Sequence, residues 1–535
     1  MSEKSTPAPA DGAASRAADA ERIAAGYAFD GDALAFGSVV LEATAYPEAQ
    51  VRVPLAMMTR HGLIAGATGT GKTKTLQGLA EQLSAAGVPV VVADIKGDLS
   101  GLMTPGQSND KITARNTDTG DTGWAPTSFP VEFYALGGVG TGIPLRASMT
   151  GFGPTLLAKV LELNETQESS LNLIFHFADK AGLTLLDLKD LRAVISYLVS
   201  DDGRDELKQL GGLSGSTAGV ILRDLIALAD QGGEDFFGEP EFETSDLLRT
   251  TADGRGMISS IELANLQDRP QLFSTFLMWL LADLFHELPE IGDADRPKLV
   301  FFFDEAHLLF DGASKAFLDA VTQTVRLIRS KGVGIFFVTQ NPQDVPDDVL
   351  GQLGNRVQHA LRAFTPDDAA ALAKAVKTYP RTSDYDLSEA LQQLGTGEAV
   401  ITVLSEKGAP TPVAWARMRA PRSLMAQVDA ATQQQAVASS SLQPKYGQEV
   451  DRESAYEKLN ARVAAQQPAA GAPSKPATAP KSDSAPQQPK PAAHGNEDSA
   501  VAKVLESSAF KSFARSAGTV LGREIMRGLF GTRKR

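Results

Sequence analysis

The sequence predicts an α/β fold: a mostly parallel sheet covered by helices on both faces, with a helical insertion and a separate C-terminal tail. Three observations predict it. The glycine loop Gly66-Ala67-Thr68-Gly69-Thr70-Gly71-Lys72-Thr73 sits between the short apolar run Leu63-Ile64-Ala65 and an amphipathic stretch over 74–86. Two runs of β-branched and aromatic residues, 88–94 and 299–305, end in acids. After the second run, helix-like and strand-like segments alternate, the pattern of a parallel sheet with helical crossovers.

Taken in order, residues 1–25 are polar and Ala/Ser/Pro-rich, with no apolar h-region of a signal peptide, and are expected to be disordered. Strand-like pieces follow at Ser38-Val39-Val40-Leu41 and Val51-Arg52-Val53. The glycine loop then leads into a helix with Leu76, Leu79, Ala80 and Leu83 on one face. Residues 26–150 form the first part of the core. The second acid-ending strand comes roughly 230 residues after the loop, so something is inserted. Leu156-Leu157, Val160-Leu161 and Leu163, then Leu185-Leu186, Leu188 and Leu191, fall at helical spacing, which predicts a mainly helical insertion over 151–250. The core resumes over 251–425, with strands at 256–261, 299–305, 333–340 and 355–361 and a helix at 317–329. A late antiparallel pair is predicted at 398–404 and 412–418, turning at Lys407-Gly408.

A helical extension over 426–464 precedes a flexible linker at 465–497, rich in Ala, Pro, Gln, Ser and Lys. Residues 498–535 read as a basic amphipathic helix: Phe510, Phe513, Val520, Leu521, Ile525, Leu529 and Phe530 stripe beside Lys511, Arg515, Arg523 and Arg527. Docking on the protein or a neighbouring subunit, a membrane surface and nucleic acid all suit this tail.

The 535-residue chain has no cysteine, which excludes disulfides and Cys-ligated zinc and fits a reducing, cytoplasmic setting. Its six histidines show no ligand spacing. No apolar run is long enough for a membrane span; residues 277–285 come nearest and are broken by Asp283. The net charge of −14 argues against a surface coated for nucleic acid, but leaves room for a local basic channel.

The chemistry expected is phosphoryl transfer from ATP with Mg²⁺. A glycine loop between strand and helix offers backbone N–H groups and a helix N-terminus to phosphate oxygens. Gly66, Ala67, Thr68, Gly69, Thr70, Gly71, Lys72, Thr73 and Lys74 are the nucleotide-binding candidates. Lys72 would reach the β/γ-phosphates, and Thr73 and Asp304 would hold Mg²⁺. Glu305 would serve as general base. Gln340, ending the next strand, would sense the γ-phosphate or orient water. Asp94 ends the strand after the loop, with Lys96 and Asp98 behind it; it suits either catalysis and coupling or a loop cap. Phosphoryl transfer often recruits an arginine from a neighbour. Arg326 and Arg329 near a helix end, and Arg356 opening a strand, are candidates in cis or trans, or form ordinary dipole and surface pairs. Asp304-Glu305-Ala306-His307 spells the box of two-lobed helicases, but no second core follows it.

With these elements placed, the chain resembles the HerA/FtsK-type P-loop ATPases, and among them the bacterial HerA-like, YjgR-type family. The residues that carry this are 61–73, Asp94-Ile95-Lys96-Gly97-Asp98-Leu99-Ser100-Gly101, Asn164-Glu165-Thr166-Gln167, Phe236-Phe237-Gly238-Glu239-Pro240, 303–307, Val338-Thr339-Gln340 and, in the tail, 522–531. The resemblance implies a RecA-like core working as a hexameric ring that moves DNA through its centre. It matches Asp94 to an acid near the nucleotide and Arg329 to an arginine at the γ-phosphate. Only about 60 residues precede the glycine loop, too few for the full N-terminal β-barrel with which HerA proteins dock a nuclease, a departure from the family pattern that makes a nuclease partner doubtful and bears on ring formation as well. A DNA translocase, a motor acting on protein and a slowly hydrolysing nucleotide-gated scaffold all remain open.

Overall fold

The strand before the glycine loop and both acid-ending runs belong to one twelve-stranded sheet. The computed structural model describes residues 10–466, apart from 210, 264–268, 293 and 312. The strands are β1 (Ala33–Leu41), β2 (Thr44–Pro54), β3 (Gly62–Ala65), β4 (Val90–Asp94), β5 (Val131–Leu136), β6 (Ile143–Leu145), β7 (Ile258–Glu262), β8 (Leu299–Phe303), β9 (Val333–Thr339), β10 (Asn355–Gln358), β11 (Glu398–Thr402) and β12 (Ala414–Met418). Across the sheet they run β2-β1-β12-β11-β10-β3-β9-β8-β4-β7-β5-β6. Every neighbouring pair from β10 to β6 is parallel. From β10 outward the other way, β11, β12, β1 and β2 add antiparallel strands.

Helices cover both faces, which is why the central strands read as unbroken apolar runs. All five residues of β8 are buried. Its side chains alternate: Phe301 and Phe303 enter one core, Val300 and Phe302 the other. On the second of these faces lie α1 (Ala10–Ala25) and α2 (Lys72–Ala85), with Ile23, Leu76, Leu79, Ala80 and Leu83 fully or almost fully buried. Next in the chain come α3 (Asp110–Thr119), α4 (Met149–Phe152), α5 (Pro154–Val160), α6 (Glu165–Lys180), α7 (Leu188–Val199), α8 (Arg204–Gln209), α9 (Gly215–Leu228) and α10 (Glu234–Phe236). From α4 onward these make a helical unit, continued by α11 (Pro270–Glu287). Capping boxes start two of its helices, Asn164 with Gln167 for α6 and Asp187 with Asp190 for α7. A cap of this kind contributes about 1 kcal/mol. Its apolar side chains, Leu171, Leu191, Leu225 and Phe276 among them, share the Phe301 core. The apolar segment 277–285 therefore lies inside the protein, in α11; among the described residues no helix is long and apolar enough to cross a membrane.

After β8 come α12 (His307–Phe310), α13 (Lys315–Ile328), α14 (Asp347–Leu350), α15 (Pro366–Val376) and α16 (Leu387–Gln393). Beyond β12 the chain turns back as a strap. Residues 422–428 run beside the loop that follows β4, with Leu424 N donating to Thr104 O (2.8 Å) and Gly106 N to Arg422 O (2.9 Å). Then α17 (Ala430–Ala438) lies on β5, α18 (Gln443–Tyr446) on β6 and α19 (Ala455–Gln466) on α7. Tyr456 N caps this return by donating to the buried Asp190 carboxylate at 3.1 Å.

Two differences from the sequence reading stand out. The expectation of a disordered start fails over residues 10–25, which form α1. Ala20, Ile23 and Tyr27 are fully buried against β1 and β2, and the Tyr27 hydroxyl donates to Ile401 O (2.9 Å). Alanine is the strongest helix former, so the Ala-rich composition that suggested disorder also suits a helix once a few apolar anchors have a surface to meet. Second, β5 and β6, read as no element at all, extend the parallel sheet beyond β7. Most of the linker at 465–497 and the whole basic tail at 498–535 lie outside the described residues.

Candidate active site

The sheet order places the carboxyl ends of β3, β9, β8 and β4 side by side, where parallel sheets hold ligands. The glycine loop leaves β3 there. Gly66 N donates to Thr339 O (3.2 Å) and Ala67 N to Ala360 O (2.8 Å), so the loop is stitched to the ends of both neighbouring strands. Gly66 has φ 150°, and a Cβ on it would stand 2.5 Å from the His359 Cβ. Gly71, with φ 118°, turns the chain into α2. Only glycine fits these positions without strain.

His359 lies beneath the loop and was not anticipated. It is fully buried, and its ring bridges Thr75 Oγ1 (2.9 Å) on α2 and Glu398 O (2.8 Å) at the start of β11. A carbonyl only accepts, so Nδ1 carries the proton and Nε2 accepts from Thr75. Burial pushes its pKa down to about 4, which keeps the ring neutral.

Lys72, the loop lysine, is buried and donates to Gly66 O (2.6 Å) and Ala67 O (3.2 Å). Burial lowers its pKa; the nearby charges of Glu305 and Asp304 oppose that shift. Thr73 and Lys74, half-buried, occupy the first turn of α2, whose free N–H groups face the carboxyl edge.

Asp304 and Glu305 follow β8 directly. Asp304 Oδ1 accepts from Glu305 N (3.0 Å), while Oδ2 is buried with no hydrogen-bond partner among the described residues. Burial, then repulsion from Glu305, raises the Asp304 pKa to about 6. An unpaired, buried carboxylate oxygen beside a phosphate loop suits a divalent cation. Among the described residues no cluster of three or more His, Cys, Asp or Glu could hold a metal alone.

Glu305 has φ 48°, a left-handed backbone that costs a non-glycine residue about 1–2 kcal/mol. This turn carries its side chain over the ends of β4 and β9. Oε1 pairs with the Lys96 ammonium; Oε2 lies 3.5 Å from Gln340 Nε2 and 3.3 Å from His307 Nδ1. Burial works to raise its pKa, but the Lys96 bond and charge prevail, and it lies below the ordinary value.

Asp94 is placed beside this group but turned away. Oδ1 accepts from Lys96 N (3.1 Å) and Gly97 N (2.7 Å), and Oδ2 from Leu99 N (2.9 Å). Its carboxylate caps the loop that presents Lys96.

The arginines are not brought to the site. Arg329 is exposed and precedes β9, at the amino ends of the parallel strands. At ~3.3 Å per residue, the seven residues of β9 put about 20 Å between Arg329 and Gln340. Arg326 is likewise exposed at the end of α13. Arg356 lies near the amino end of β10 and donates to Leu350 O (3.2 Å) and Leu353 O (3.4 Å), a structural use. Neither Arg329 nor Arg356 can therefore meet a γ-phosphate held by its own chain's loop.

Lys96, His307 and His359 are the functional candidates that sequence reasoning left without a role. Lys96 meets a residue 209 positions away and His359 one 284 positions away, so no local pattern signals them.

Comparison with known proteins gives consistent matches. The family model described as "Helicase HerA-like C-terminal" matches residues 40–535. A DNA double-strand break repair helicase HerA from Sulfurisphaera tokodaii is 23% identical over 362 residues, covering 66% of this chain and 64% of that protein. The chain thus spans less than two thirds of that relative's length. Among solved structures, the plasmid coupling protein TrwB in complex with ADP and Mg²⁺ is 16% identical with TM-score 0.48, covering 75% of this chain and 100% of that one. VirB4 of Thermoanaerobacter pseudethanolicus is 15% identical with TM-score 0.45, covering 73% and 97%.

Proposed function

The chain belongs to the HerA-like helicase C-terminal family, and from that premise we propose that it is a Mg²⁺-dependent ATPase motor that assembles as a ring, a hexamer by the family pattern, and translocates DNA. One observation supports this reading above the others. A phosphate-type loop, a buried aspartate with an unpaired oxygen, a glutamate and a glutamine converge on the carboxyl ends of three adjacent strands.

In this reading the loop amides and Lys72 bind the ATP phosphates. Thr73 and Asp304 hold Mg²⁺, which supplies charge neutralisation on the phosphate oxygens. Glu305 accepts a proton from the attacking water, and Gln340 orients that water at the γ-phosphate. Asp94 is a positioning residue: it shapes the loop bearing Lys96. Arg329, exposed at the opposite edge, serves only across a subunit interface, whereas Arg356 supports the end of α14. A cytoplasmic location belongs to the same reading.

The acidic balance favours one alternative, a motor acting on protein, since a net charge of −14 offers little general attraction to nucleic acid. ATP hydrolysis measured with and without double- and single-stranded DNA separates the two. Stimulation by DNA that falls steeply with salt supports the translocase. Hydrolysis indifferent to DNA but raised by a protein partner contradicts it. Mass measurement with an ATP analogue tests the ring.

A further inference from the structure

The carboxylate assigned as general base is held at one oxygen by an ammonium of its own protein. Glu305 Oε1 holds the Lys96 ammonium, and Oε2 faces Gln340 Nε2 at 3.5 Å and His307 Nδ1 at 3.3 Å. A base must direct a free lone pair at water; an ammonium in contact takes one lone pair of the carboxylate and, by its charge, makes the carboxylate a weaker proton acceptor. The Glu305 side chain is 6% exposed, so solvent does not readily replace this partner, while the Lys96 side chain is 43% exposed and can swing outward.

Lys96 is carried by a loop and not by the sheet. Three backbone N–H bonds to Asp94 fold the loop at its root, and Gly97, at φ 75°, turns it. Its outer side is gripped by the strap. Val428 N donates to Ser100 Oγ (3.1 Å), and Gly101 packs so closely that an added Cβ would lie 2.1 Å from Leu424 O and 2.3 Å from Ala426 O. The loop therefore answers to the strap as well as to β4.

We propose that Lys96 is a latch on the general base: in the resting chain its ion pair masks Glu305, and hydrolysis proceeds when the loop over 95–101 withdraws it. The proposal rests on the ATPase reading above and adds to it a control of the chemical step, with Lys96 as a positioning residue and not a phosphate ligand.

The test is steady-state ATP hydrolysis by the full chain, without DNA, for the parent, Lys96→Ala, Lys96→Arg, Glu305→Gln and the double variant Lys96→Ala/Glu305→Gln. If the base is free only part of the time, kcat scales with that fraction. Lys96→Ala is expected to raise kcat on the order of 3- to 10-fold with KM for ATP within about twofold, the scale of a partly exposed ion pair. Lys96→Arg, which can remake the pair, should restore most of the restraint. The double variant should fall to the level of Glu305→Gln, showing that the gain acts through Glu305. A fall in kcat for Lys96→Ala would mean that Lys96 holds Glu305 ready to work, and would overturn the latch. A rise in KM would overturn it too, by making Lys96 a phosphate ligand. The ATPase reading fails separately, if Glu305→Gln turns over like the parent. A silent parent with an active Lys96→Ala variant supports the latch; silence in both contradicts it.

Discussion

The two halves of the candidate site are held by different forces. The glycine loop is a backbone object: its amides bond to Thr339 O and Ala360 O, and a neutral histidine supports it from below. The acidic rim is a side-chain object. Asp304, Glu305 and Asp94 gather at the ends of β8 and β4, but the Lys96 ammonium meets Glu305 alone; burial moves the Asp304 pKa upward, while the Lys96 pair carries that of Glu305 downward. Backbone cradles present fixed dipoles that favour an anion and do not themselves titrate. Charged rims can be switched, because each member's state depends on its neighbours. In the proposed function, the cradle then holds the nucleotide and the rim acts on it.

The largest effect that can break this division lies in the cradle. Lys72→Ala should weaken ATP binding by ~100-fold or more, since it removes the one charge-assisted donor of the loop. Folding should be nearly unchanged, because among the described residues the hydrogen bonds of Lys72 go to Gly66 O and Ala67 O of its own loop. Calorimetric titration with ATP beside thermal melting checks both halves. Parent-like affinity would remove the loop from nucleotide binding.

A smaller effect sharpens the comparison from beneath the cradle. His359 and His61 are both buried and held near a pKa of about 4, against an ordinary value of 6.5. Their folded-state pKa values are depressed, so between pH 6.5 and 4 the unfolded chain takes up protons that the folded chain refuses. Stability should fall as pH drops through that window, by about 1.4 kcal/mol per pH unit for each histidine. Replacing His359 with Gln should lower stability at pH 7 yet flatten the decline towards pH 5. Denaturant midpoints for parent and variant at pH 7, 6 and 5 measure this; parallel declines would show that His359 titrates normally.

Much of this division was legible in the sequence, and the reasons are local. Residues 66–73 and the acids at 304 and 305 announce themselves because loop, strand end and chemistry are contiguous. The central strands are readable because burial on both faces leaves them continuously apolar. What was not legible depends on topology. Arg329 looks well placed by its distance after the acidic strand, but that distance spans a helix that returns it to the amino edge. Lys96 is visible as a loop lysine, yet only the β4–β8 pairing makes Glu305 its neighbour. The β5 strand alternates Glu132 with apolar residues after a proline- and threonine-rich stretch, a weak signal until β7 supplies its partner. Helix α1 hides in an alanine-rich start whose anchors, Ala20, Ile23 and Tyr27, acquire meaning only against β1 and β2.

The most direct measurement is a parallel determination of ATP binding and turnover for Glu305→Gln in the presence of Mg²⁺. Glutamine preserves shape but cannot take a proton, so it leaves the cradle untouched and disables the rim. ATP affinity should stay within about twofold of the parent while hydrolysis falls by a factor on the order of 10² or more. Turnover near that of the parent, or loss of binding in step with loss of turnover, would contradict the separation of a backbone cradle that holds the nucleotide from a charged rim that hydrolyses it.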